Sequence, residues 1–541
     1  HIHIFSCLVF LCQRKTRRRK EKTMKLLNDD LSRKRQTRIC LLAAFLLPFL
    51  WLCILRPMSM NQGETANDAY YHAAMAERGP AVFCAKKFPA LELSVWRDTF
   101  ADKELLYHFL LSGLIRVQKI FTAEIVPPFH FPAMVFVAGF LAAFLFAMKR
   151  MGVAPPLYLP MTMAAVLIAP NITFRVLMLR PHVLSLALLL FLCGILAVGS
   201  FRKRLLWTLG VSMVYAWSYS NPQFIVIPAL AFAVAGIRTD GWKSLLIAAA
   251  AAAGVGAGLL VHPQFPNSFI IWKVQSFDAL FRPLLAEGAK GYASLMPPME
   301  MQPPDLLWHL AAIPLYVFVY LAFLVFARVT GKCGWKNLPP HIIALGMLTL
   351  LFTGGTFLVQ RTVEYAAPFG ALFGAAVTHL ALQEKVFLPE REKPLKFCLI
   401  LSIAMIGIAV YSSVLNIGYG RISTPPAAKI GAWMERNLPE KTLVVNLNWG
   451  DFPAIFHANR KQVFLWGMDP EFSVAADRER TRKIERMLLQ AQHMTPRRFY
   501  ALTGSRYALV LAKRENFIRY LKKIGWRAVY EAEDGALFIV E

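Results

Sequence analysis

The fold is decided by the apolar run ICLLAAFLLPFLWLCIL (residues 39–55) and by the segment NDAYYHAAMAERG (67–79) that follows it. A run of this composition indicates a helix that crosses a membrane, for which about 20 apolar residues are needed. The second segment places Asp68 and His72 one helical turn apart, on the same face of a helix. Ionisable side chains are costly near a bilayer and are more often functional there than on a solvated surface. The pair therefore marks a candidate site just outside the membrane.

The whole chain has the composition of a membrane protein with several spans. Its 541 residues are 56% hydrophobic and 17% charged, with a mean hydropathy of +0.45, which excludes an ordinary soluble multidomain protein. Much of the net charge of +27 lies between residues 14 and 38 and in short loops. Because cytoplasmic segments of membrane proteins are basic, this distribution predicts the lipid bilayer, and no nucleic acid, as the partner of the basic segments.

Eleven apolar stretches predict a polytopic α-helical membrane protein with about 11 transmembrane helices. Several stretches are shorter than a full span, and the two beside Ser220-Asn221-Pro222 also fit one broken helix. The stretches are residues 39–55, 129–148, 155–170, 182–199, 205–220, 222–237, 245–262, 309–328, 342–359, 366–383 and 397–415.

The charges predict an orientation in the membrane. Five basic loops fall on the same side as the basic N-terminus, residues 1–38, which is therefore expected to be cytoplasmic. Within that terminus Met24 is the expected natural start, and residues 1–23 are then an upstream extension. The remaining expected parts are a transmembrane domain (39–415), a long first outer loop (56–128), a further long outer loop (263–308) and a C-terminal domain (416–541).

The tail after the last apolar stretch reads as a small α/β domain. Helix-like pieces such as AAKIGAWMERNL (427–438) alternate with strand-like pieces such as TLVVNLNW (442–449), YALVLA (507–512) and ALFIVE (536–541). Such alternation is typical of an α/β fold. We expect this domain to be extracytoplasmic and to lie on the outer face of the membrane.

The first outer loop concentrates ionisable side chains. Besides Asp68 and His72 it carries Asp98, Asp102 and His108. Asp68 and Asp102 each stand three residues after a threonine, so both also fit a helix start, where an aspartate complements the helix dipole. Helix capping is thus the alternative to a catalytic role for these carboxylates.

Basic residues mark the outer ends of later apolar stretches. Arg175 and Arg180 occur in NITFRVLMLRPHV, Lys273 in PNSFIIWKVQSFD, and Arg361 stands beside Glu364 in LVQRTVEYAAP. Each one alone fits an ordinary interface anchor whose charge reaches toward water. Together they predict a cationic pocket that faces the carboxylates of the first loop, an arrangement suited to binding a phosphate while a nearby base acts.

At these residues the chain resembles the GT-C superfamily of integral membrane glycosyltransferases, which includes the oligosaccharyltransferase catalytic subunit and the protein O-mannosyltransferases. NDAYYH (67–72) is similar to the acidic first-loop motif of that class, and FLVQRTVEYAAP (357–368) to a late outer segment that contains an arginine. NWGDFPAIF (448–456) loosely resembles the WWDYG motif at the start of the soluble domain in oligosaccharyltransferases. Because it departs from that motif, we expect an acceptor other than an Asn-X-Ser/Thr sequon.

The resemblance implies transfer of a sugar from a polyprenyl-phosphate-linked donor to an acceptor glycan, lipid or protein at the outer face. In that reading Asp68 is the base or orients the acceptor, and Asp98 and Asp102 supply a second carboxylate or a metal ligand. Arg180 and Arg361 bind the lipid phosphate, and His72 and His108 are further candidates for substrate binding. A divalent ion, Mg²⁺ or Mn²⁺, held by Asp68, Asp98 and Asp102, is left open. The bacterial inner membrane is the expected location.

Two other functions fit parts of the sequence. A transporter or flippase for a lipid-linked or anionic substrate would explain the break at Asn221 and the outer arginines, since interrupted helices often line substrate sites. Its ionisable residues, however, should lie near the middle of the bilayer, whereas here they gather at one surface. A non-catalytic scaffold would use the tail for docking, and it should tolerate the substitution Asp68→Asn.

Overall fold

The structure is a computed structural model. It describes residues 34–61, 63–64, 67–122, 127–278, 300, 302–386, 393–419, 427–489 and 494–540. The proposed upstream extension, residues 1–23, lies outside the described residues, as does most of the basic N-terminus.

All eleven apolar stretches lie on helices, which confirms the helical membrane class. The helices up to the C-terminal domain are α1 (Lys34–Ser59), α2 (Asp68–Arg78), α3 (Pro80–Phe83), α4 (Leu105–Phe121), α5 (His130–Arg150), α6 (Tyr158–Leu167), α7 (Pro170–Leu177), α8 (Pro181–Ala197), α9 (Phe201–Ala216), α10 (Val226–Asp240), α11 (Leu246–Leu260), α12 (Asn267–Trp272), α13 (Leu306–Ala311), α14 (Ile313–Cys333), α15 (Pro340–Gly355), α16 (Val363–Gln383) and α17 (Lys393–Tyr419).

The apolar helices differ in how well each matches the thickness of a bilayer. Among the described residues, six helical runs are long and apolar enough to cross a membrane by themselves. The residues of α6 and α7 make a further candidate span that bends by 82° at its break. Helices α8 and α15 are apolar but shorter. The chain is therefore an integral membrane protein whose spans include short and bent helices, as expected where neighbouring helices satisfy the freed backbone groups.

The second half of the membrane domain contains a close helix pair that explains its glycine pattern. Helices α9 and α11 pack along their length. A Cβ atom on Gly254 would lie 2.5 Å from the carbonyl oxygen of Leu209, and one on Gly258 would lie 2.6 Å from that of Met213. Small residues let two membrane helices approach closely. Helices α9 and α10 are separate elements, with residues 217–221 between the end of α9 and the short helix Pro222–Ile225 that leads into α10.

The C-terminal domain is an α/β unit, as its sequence pattern predicts. A five-stranded sheet has the order β2-β1-β3-β5-β4, in which β1 is parallel to β2 and β3, and β5 is antiparallel to β3 and β4. The elements are α18 (Ala428–Asn437), β1 (Leu443–Asn446), α19 (Phe452–Ala458), β2 (Val463–Phe464), α20 (Pro470–Ala476), α21 (Arg478–Leu489), α22 (Pro496–Thr503), β3 (Tyr507–Leu511), α23 (Glu515–Lys523), β4 (Arg527–Ala532) and β5 (Gly535–Ile539).

The first outer loop joins this domain to the membrane helices. Helix α2 packs against α4 on one side and against α19 of the C-terminal domain on the other. The backbone of residues 90–93 runs beside β2, where Phe464 N–H donates to Ala90 and Leu93 N–H donates to Leu465 at 2.7 Å. Because α2 is enclosed in this way, most of its side chains are buried. Helix α2 of the first outer loop is therefore packed between other elements and is not part of a solvated connection.

A buried ion pair holds the end of α1 to the start of the first outer loop. Arg56 donates to both carboxylate oxygens of Glu64, at 2.7 and 2.9 Å, and both side chains are fully buried. Arg56 Nε also donates to the Leu177 carbonyl oxygen at 2.9 Å, and Glu64 accepts from the Phe129 backbone N–H at 2.7 Å. The pair therefore links α1, α7 and α5 at one level of the membrane domain.

Removing one charge of this pair is expected to destabilise the protein strongly. Glu64→Gln leaves the Arg56 guanidinium buried without its counter-charge, which costs about 3–5 kcal/mol of unfolding free energy. The matched control is Glu92→Gln, which breaks an exposed pair with Arg97 and is expected to cost under about 1 kcal/mol. Unfolding in mixed detergent micelles measures both changes, and equal losses for the two variants would contradict the prediction.

Candidate active site

Asp68 is the first residue of α2, and it faces an arginine from a distant part of the chain. Arg180 Nη2 donates to Asp68 Oδ2 at 2.5 Å. Arg180 lies directly before α8, which begins with Pro181. The Asp68 side chain is 31% exposed and that of Arg180 is 13% exposed. The carboxylate thus lies at the wall of a site that solvent reaches, and it does not point into bulk solvent.

Glu300 is the centre of the cluster, and sequence analysis did not identify it. Its carboxylate accepts from Arg175 at 2.5 Å, from Arg180 at 2.8 Å and from Arg361 at 3.1 Å. The three arginines precede or end three different helices, so only their packing brings them together. The one signal in the sequence was an acidic residue held between prolines in PPMEMQPP (297–304) of the outer loop.

A second carboxylate, that of Glu364, is fully buried and contacts two of the three arginines. Glu364, in the first turn of α16, forms an ion pair with Arg175 and lies 3.6 Å from Arg361 Nε. Arg361 Nη2 also donates to the Tyr219 hydroxyl at 2.9 Å, and that hydroxyl lies 3.2 Å from the Tyr365 hydroxyl. Contacts with Glu364 and Tyr219 therefore fix the orientations of the Arg175 and Arg361 guanidinium groups.

The six charges of this cluster balance, since three arginines meet the carboxylates of Asp68, Glu300 and Glu364. Burial alone would raise the pKa of the Glu300 carboxyl, but the three guanidinium groups hold it well below its usual range. Burial lowers the pKa of Arg180, an effect that Glu300 and then Asp68 outweigh, so the pKa is raised overall. The shifts of Glu300 and Arg180 favour their charged forms, and the cluster presents fixed guanidinium donors, which suit an oxyanion.

His72 and His108 belong to a separate buried cluster with Asp102 and Glu104. His72 Nδ1 lies 2.8 Å from His108 Nε2, and His108 Nδ1 lies 2.8 Å from the Asp102 carboxylate. All four side chains are buried. Burial and the neighbouring His108 hold the pKa of His72 well below its usual range, and burial raises the pKa of Glu104. This group, the His72–His108 cluster, sits one helical turn along α2 from Asp68.

Three of the predicted site residues lie away from the arginine cluster. Asp98 is 75% exposed, and its nearest cation is Lys87 at 3.9 Å, because it ends a short surface turn and does not enter α4. Asp102 faces His108 and not the arginines, since it precedes α4 and turns inward to accept from Glu104 N–H at 3.1 Å. Lys273 is exposed beyond the end of α12 and contributes no contact to the cluster among the residues described.

The described residues do not fit a divalent ion held by Asp68, Asp98 and Asp102. These three carboxylates lie in different surroundings, and Asp68 and Glu300 share the guanidinium of Arg180, a cation that already fills the space between them. Mg²⁺ and Mn²⁺ require several oxygen ligands around one point. No step of the chemistry is therefore assigned to such an ion.

The C-terminal domain reaches the cluster through the segment after β1. Asn67, next to Asp68, donates through Nδ2 to the Gly450 carbonyl oxygen at 2.7 Å. Gly450 belongs to the short helix Trp449–Asp451, within the segment that resembles the start of the soluble domain in oligosaccharyltransferases. A small hollow elsewhere in the membrane domain is lined by Lys103, Tyr219 and Trp272 among others. Tyr219 thus lies both in the hollow and beside Arg361.

The overall fold is similar to that of solved structures. The sequence matches no protein family and no curated protein. The structure is similar to that of the archaeal oligosaccharyltransferase AglB from Archaeoglobus fulgidus in complex with an inhibitory peptide and a dolichol-phosphate. The TM-score is 0.57 at 12% identity, over 93% of this chain and 74% of that one.

A further structure of the Archaeoglobus fulgidus oligosaccharyltransferase, tethered to an acceptor peptide containing the NVT sequon, gives a TM-score of 0.58 at 12% identity with the same coverage. Oligosaccharyltransferases are GT-C enzymes, so the distant GT-C relationship expected from NDAYYH and its neighbouring motifs is confirmed at the level of the fold. At this identity the likeness concerns the fold, and activity has to be argued from the site.

Proposed function

We propose that this chain is a membrane glycosyltransferase that moves a sugar from a polyprenyl-phosphate-linked donor to an acceptor at the extracytoplasmic face. The observation that carries the proposal is the convergence of Arg175, Arg180 and Arg361 on one anionic group, next to the partly exposed carboxylate of Asp68. An enzyme that uses a lipid phosphate as leaving group needs this pairing of fixed cations with a base.

In the proposed reaction Asp68 acts on the acceptor. Its carboxylate takes the proton of the acceptor hydroxyl or amide as the acceptor atom bonds to the anomeric carbon of the sugar. The bond between that carbon and the phosphate oxygen breaks, and the electron pair leaves with the polyprenyl phosphate. Arg180 holds Oδ2 of Asp68, so Oδ1 is the atom assigned to the acceptor.

The arginines are assigned to the phosphate. Negative charge grows on the leaving phosphate during transfer, and preformed guanidinium donors stabilise that charge without rearranging. Because the cluster is charge-balanced, an entering phosphate competes with the Glu300 carboxylate for the same donors. Tyr219 and Glu364 keep the Arg361 guanidinium in place during the exchange.

The acceptor is assigned to the exposed side of Asp68 and to the C-terminal segment that Asn67 contacts. The AglB structures hold an acceptor or inhibitory peptide and, in one case, a dolichol-phosphate, which supports lipid-linked donors and extended acceptors for this fold. The segment around Trp449 lacks the sequon-binding motif, so the proposed acceptor is a glycan, lipid or protein group other than an Asn-X-Ser/Thr sequon.

The proposed location is the bacterial inner membrane, with about eleven spans, a cytoplasmic N-terminus and the C-terminal domain outside. The basic loops support this orientation. The alternative function is transport of a lipid-linked or anionic substrate. A transport site near the middle of the bilayer needs polar groups there. The clustering of ionisable residues at the helix ends therefore favours the transferase.

Purified protein in nanodiscs tests the proposal directly. With a polyprenyl-phosphate sugar labelled in the sugar and a set of candidate acceptors, we expect label to move to an acceptor and free polyprenyl phosphate to appear in equal amount. The matched negative control contains donor and nanodiscs without protein. Movement of intact labelled donor across sealed vesicles, with no cleavage of its sugar–phosphate bond, would contradict the proposal and favour a flippase.

A further inference from the structure

The His72–His108 cluster has a geometry that the proposed sugar transfer does not use. One ligand atom each from His72, Glu104 and His108 lies within 4.8 Å of the others, and all three residues are buried. His72 comes from α2, whereas Glu104 and His108 stand four residues apart at the start of α4. Two helices from separate parts of the first outer loop therefore direct two imidazoles and a carboxylate at one point.

We propose that His72, Glu104 and His108 bind Zn²⁺ and thereby fix α2 against α4. Two imidazole nitrogens and one carboxylate oxygen are a ligand set that proteins use for Zn²⁺, with a fourth position left for water. Hard ions such as Mg²⁺ and Ca²⁺ prefer oxygen ligands alone. The proposed site is separate from the Asp68–Arg180 pair and does not depend on glycosyl transfer.

The distances are close to those that Zn²⁺ requires. His72 Nδ1 and His108 Nε2 are 2.8 Å apart, and two nitrogens bound to tetrahedral Zn²⁺ are about 3.3 Å apart for bonds of about 2.0–2.1 Å. Small rotations of the rings supply the difference. Tyr71 and Tyr107 pack against the rings, at 5.8 Å from His108 and 5.3 Å from His72 between centroids, and this packing limits the rings to such small motions.

The carboxylate has an oxygen available for the metal. Glu104 is 3% exposed, and its Oε2 makes no hydrogen bond, although it is buried. Lys103 approaches the other oxygen, Oε1, at 3.8 Å. A buried carboxylate oxygen without a partner is costly. Coordination of a cation by Oε2 would remove that cost.

The surroundings of His108 match those of a metal-bound histidine. Its Nδ1 lies 2.8 Å from both oxygens of Asp102, so Nδ1 carries the proton and Nε2 is left with a free lone pair toward His72. Metal-binding histidines almost always donate their second ring N–H to a carboxylate or carbonyl in this way. Asp102 is itself held by the Gln264 side chain, which accepts from the Asp102 backbone N–H at 2.6 Å. Asp102 is thus a positioning residue for the proposed site.

Metal analysis of the full chain tests the site. Tag-free protein is incubated with Zn²⁺, passed through a desalting column and analysed by mass spectrometry for bound metal. We expect about one bound Zn²⁺ per chain in the wild-type protein. In Glu104→Gln and in His108→Ala, we expect less than about 0.1 Zn²⁺ per chain. His309→Ala, which removes a histidine that bonds to Tyr316 elsewhere, and Asp68→Asn should both keep the full amount. Equal metal content in wild type, Glu104→Gln and His108→Ala would overturn the proposal.

Two further measurements distinguish coordination from adventitious binding. Co²⁺ in place of Zn²⁺ should give the intense visible absorption of a tetrahedral ion in wild type and not in Glu104→Gln. Asp102→Asn should lower the affinity for Zn²⁺ about 10–100-fold, because it removes the carboxylate that accepts from His108 Nδ1. Competition with a chelator measures this affinity. A six-coordinate Co²⁺ spectrum, or an affinity that Asp102→Asn leaves unchanged, would count against this site.

Discussion

Asp68→Asn is expected to lower the rate of sugar transfer by about 10²–10⁴-fold, the range found when a positioned general base is removed. Asparagine has the same shape and still offers an oxygen to Arg180 Nη2, which donates to Asp68 Oδ2 in this structure. It cannot accept the acceptor proton. Initial rates with labelled polyprenyl-phosphate sugar measure the effect, and the acceptor KM should change much less than kcat.

Asp98→Asn is the matched control for this prediction. Asp98 is an aspartate of the same outer loop, but it is 75% exposed and its nearest cation is Lys87 at 3.9 Å. Its replacement should leave the transfer rate within about twofold, because exposed ion pairs contribute little. Thermal unfolding of both variants checks that each is folded. Full turnover by folded Asp68→Asn protein would remove Asp68 from the mechanism.

Arg361→Gln is expected to lower kcat/KM for the donor by about 10²–10³-fold, the usual effect of losing one preformed donor to a developing negative charge. Arg361 lies just before α16 and contacts Glu300, Glu364 and the Tyr219 hydroxyl. Its loss should act through the donor phosphate, so the acceptor KM should stay unchanged. Arg361→Lys keeps the charge without the planar fork and should recover only part of the rate.

Arg202→Gln is the control for loss of a positive charge. Arg202 is exposed near the start of α9, in a loop expected on the cytoplasmic side. Tyr219→Phe is a milder probe, since it removes the hydroxyl that accepts from Arg361 Nη2 while keeping the ring near the guanidinium. We expect an intermediate loss for it. If Arg361→Gln raised the acceptor KM and left the donor kinetics unchanged, the phosphate assignment would be wrong.

The local pattern of the chain was enough to predict the classes of its elements. Each apolar stretch lies on helices, and the strand-like pieces TLVVNLNW, YALVLA and ALFIVE overlap β1, β3 and β5. These predictions succeed because hydrophobic length and alternation are properties of adjacent residues. The lengths of individual spans were harder to predict, since α6 and α7 bend by 82° at a break that ends in Pro170.

The candidate site was predictable only in its residue types. Asp68 was predicted from the acidic helix start in the first loop, and Arg180 and Arg361 from the ends of apolar runs. The structure brings these three residues into one cluster. Asp98 belongs to the same acidic loop but lies on the surface, because it ends the short helix Val95–Arg97, whereas Asp102 turns inward before α4. Glu300 was missed, since nothing near it in the chain indicates that three arginines surround it.

The sequence by itself determined that the chain crosses a membrane repeatedly, carries an α/β tail and keeps ionisable residues on one side. Those conclusions follow from the cost of placing charges and unpaired backbone groups in hydrocarbon, which acts residue by residue. Tertiary structure alone decided which ionisable groups meet. Asp68 lies 112 residues from Arg180, and Arg180 lies 120 residues from Glu300, so their contacts depend on how the helices pack and on how the C-terminal domain encloses α2.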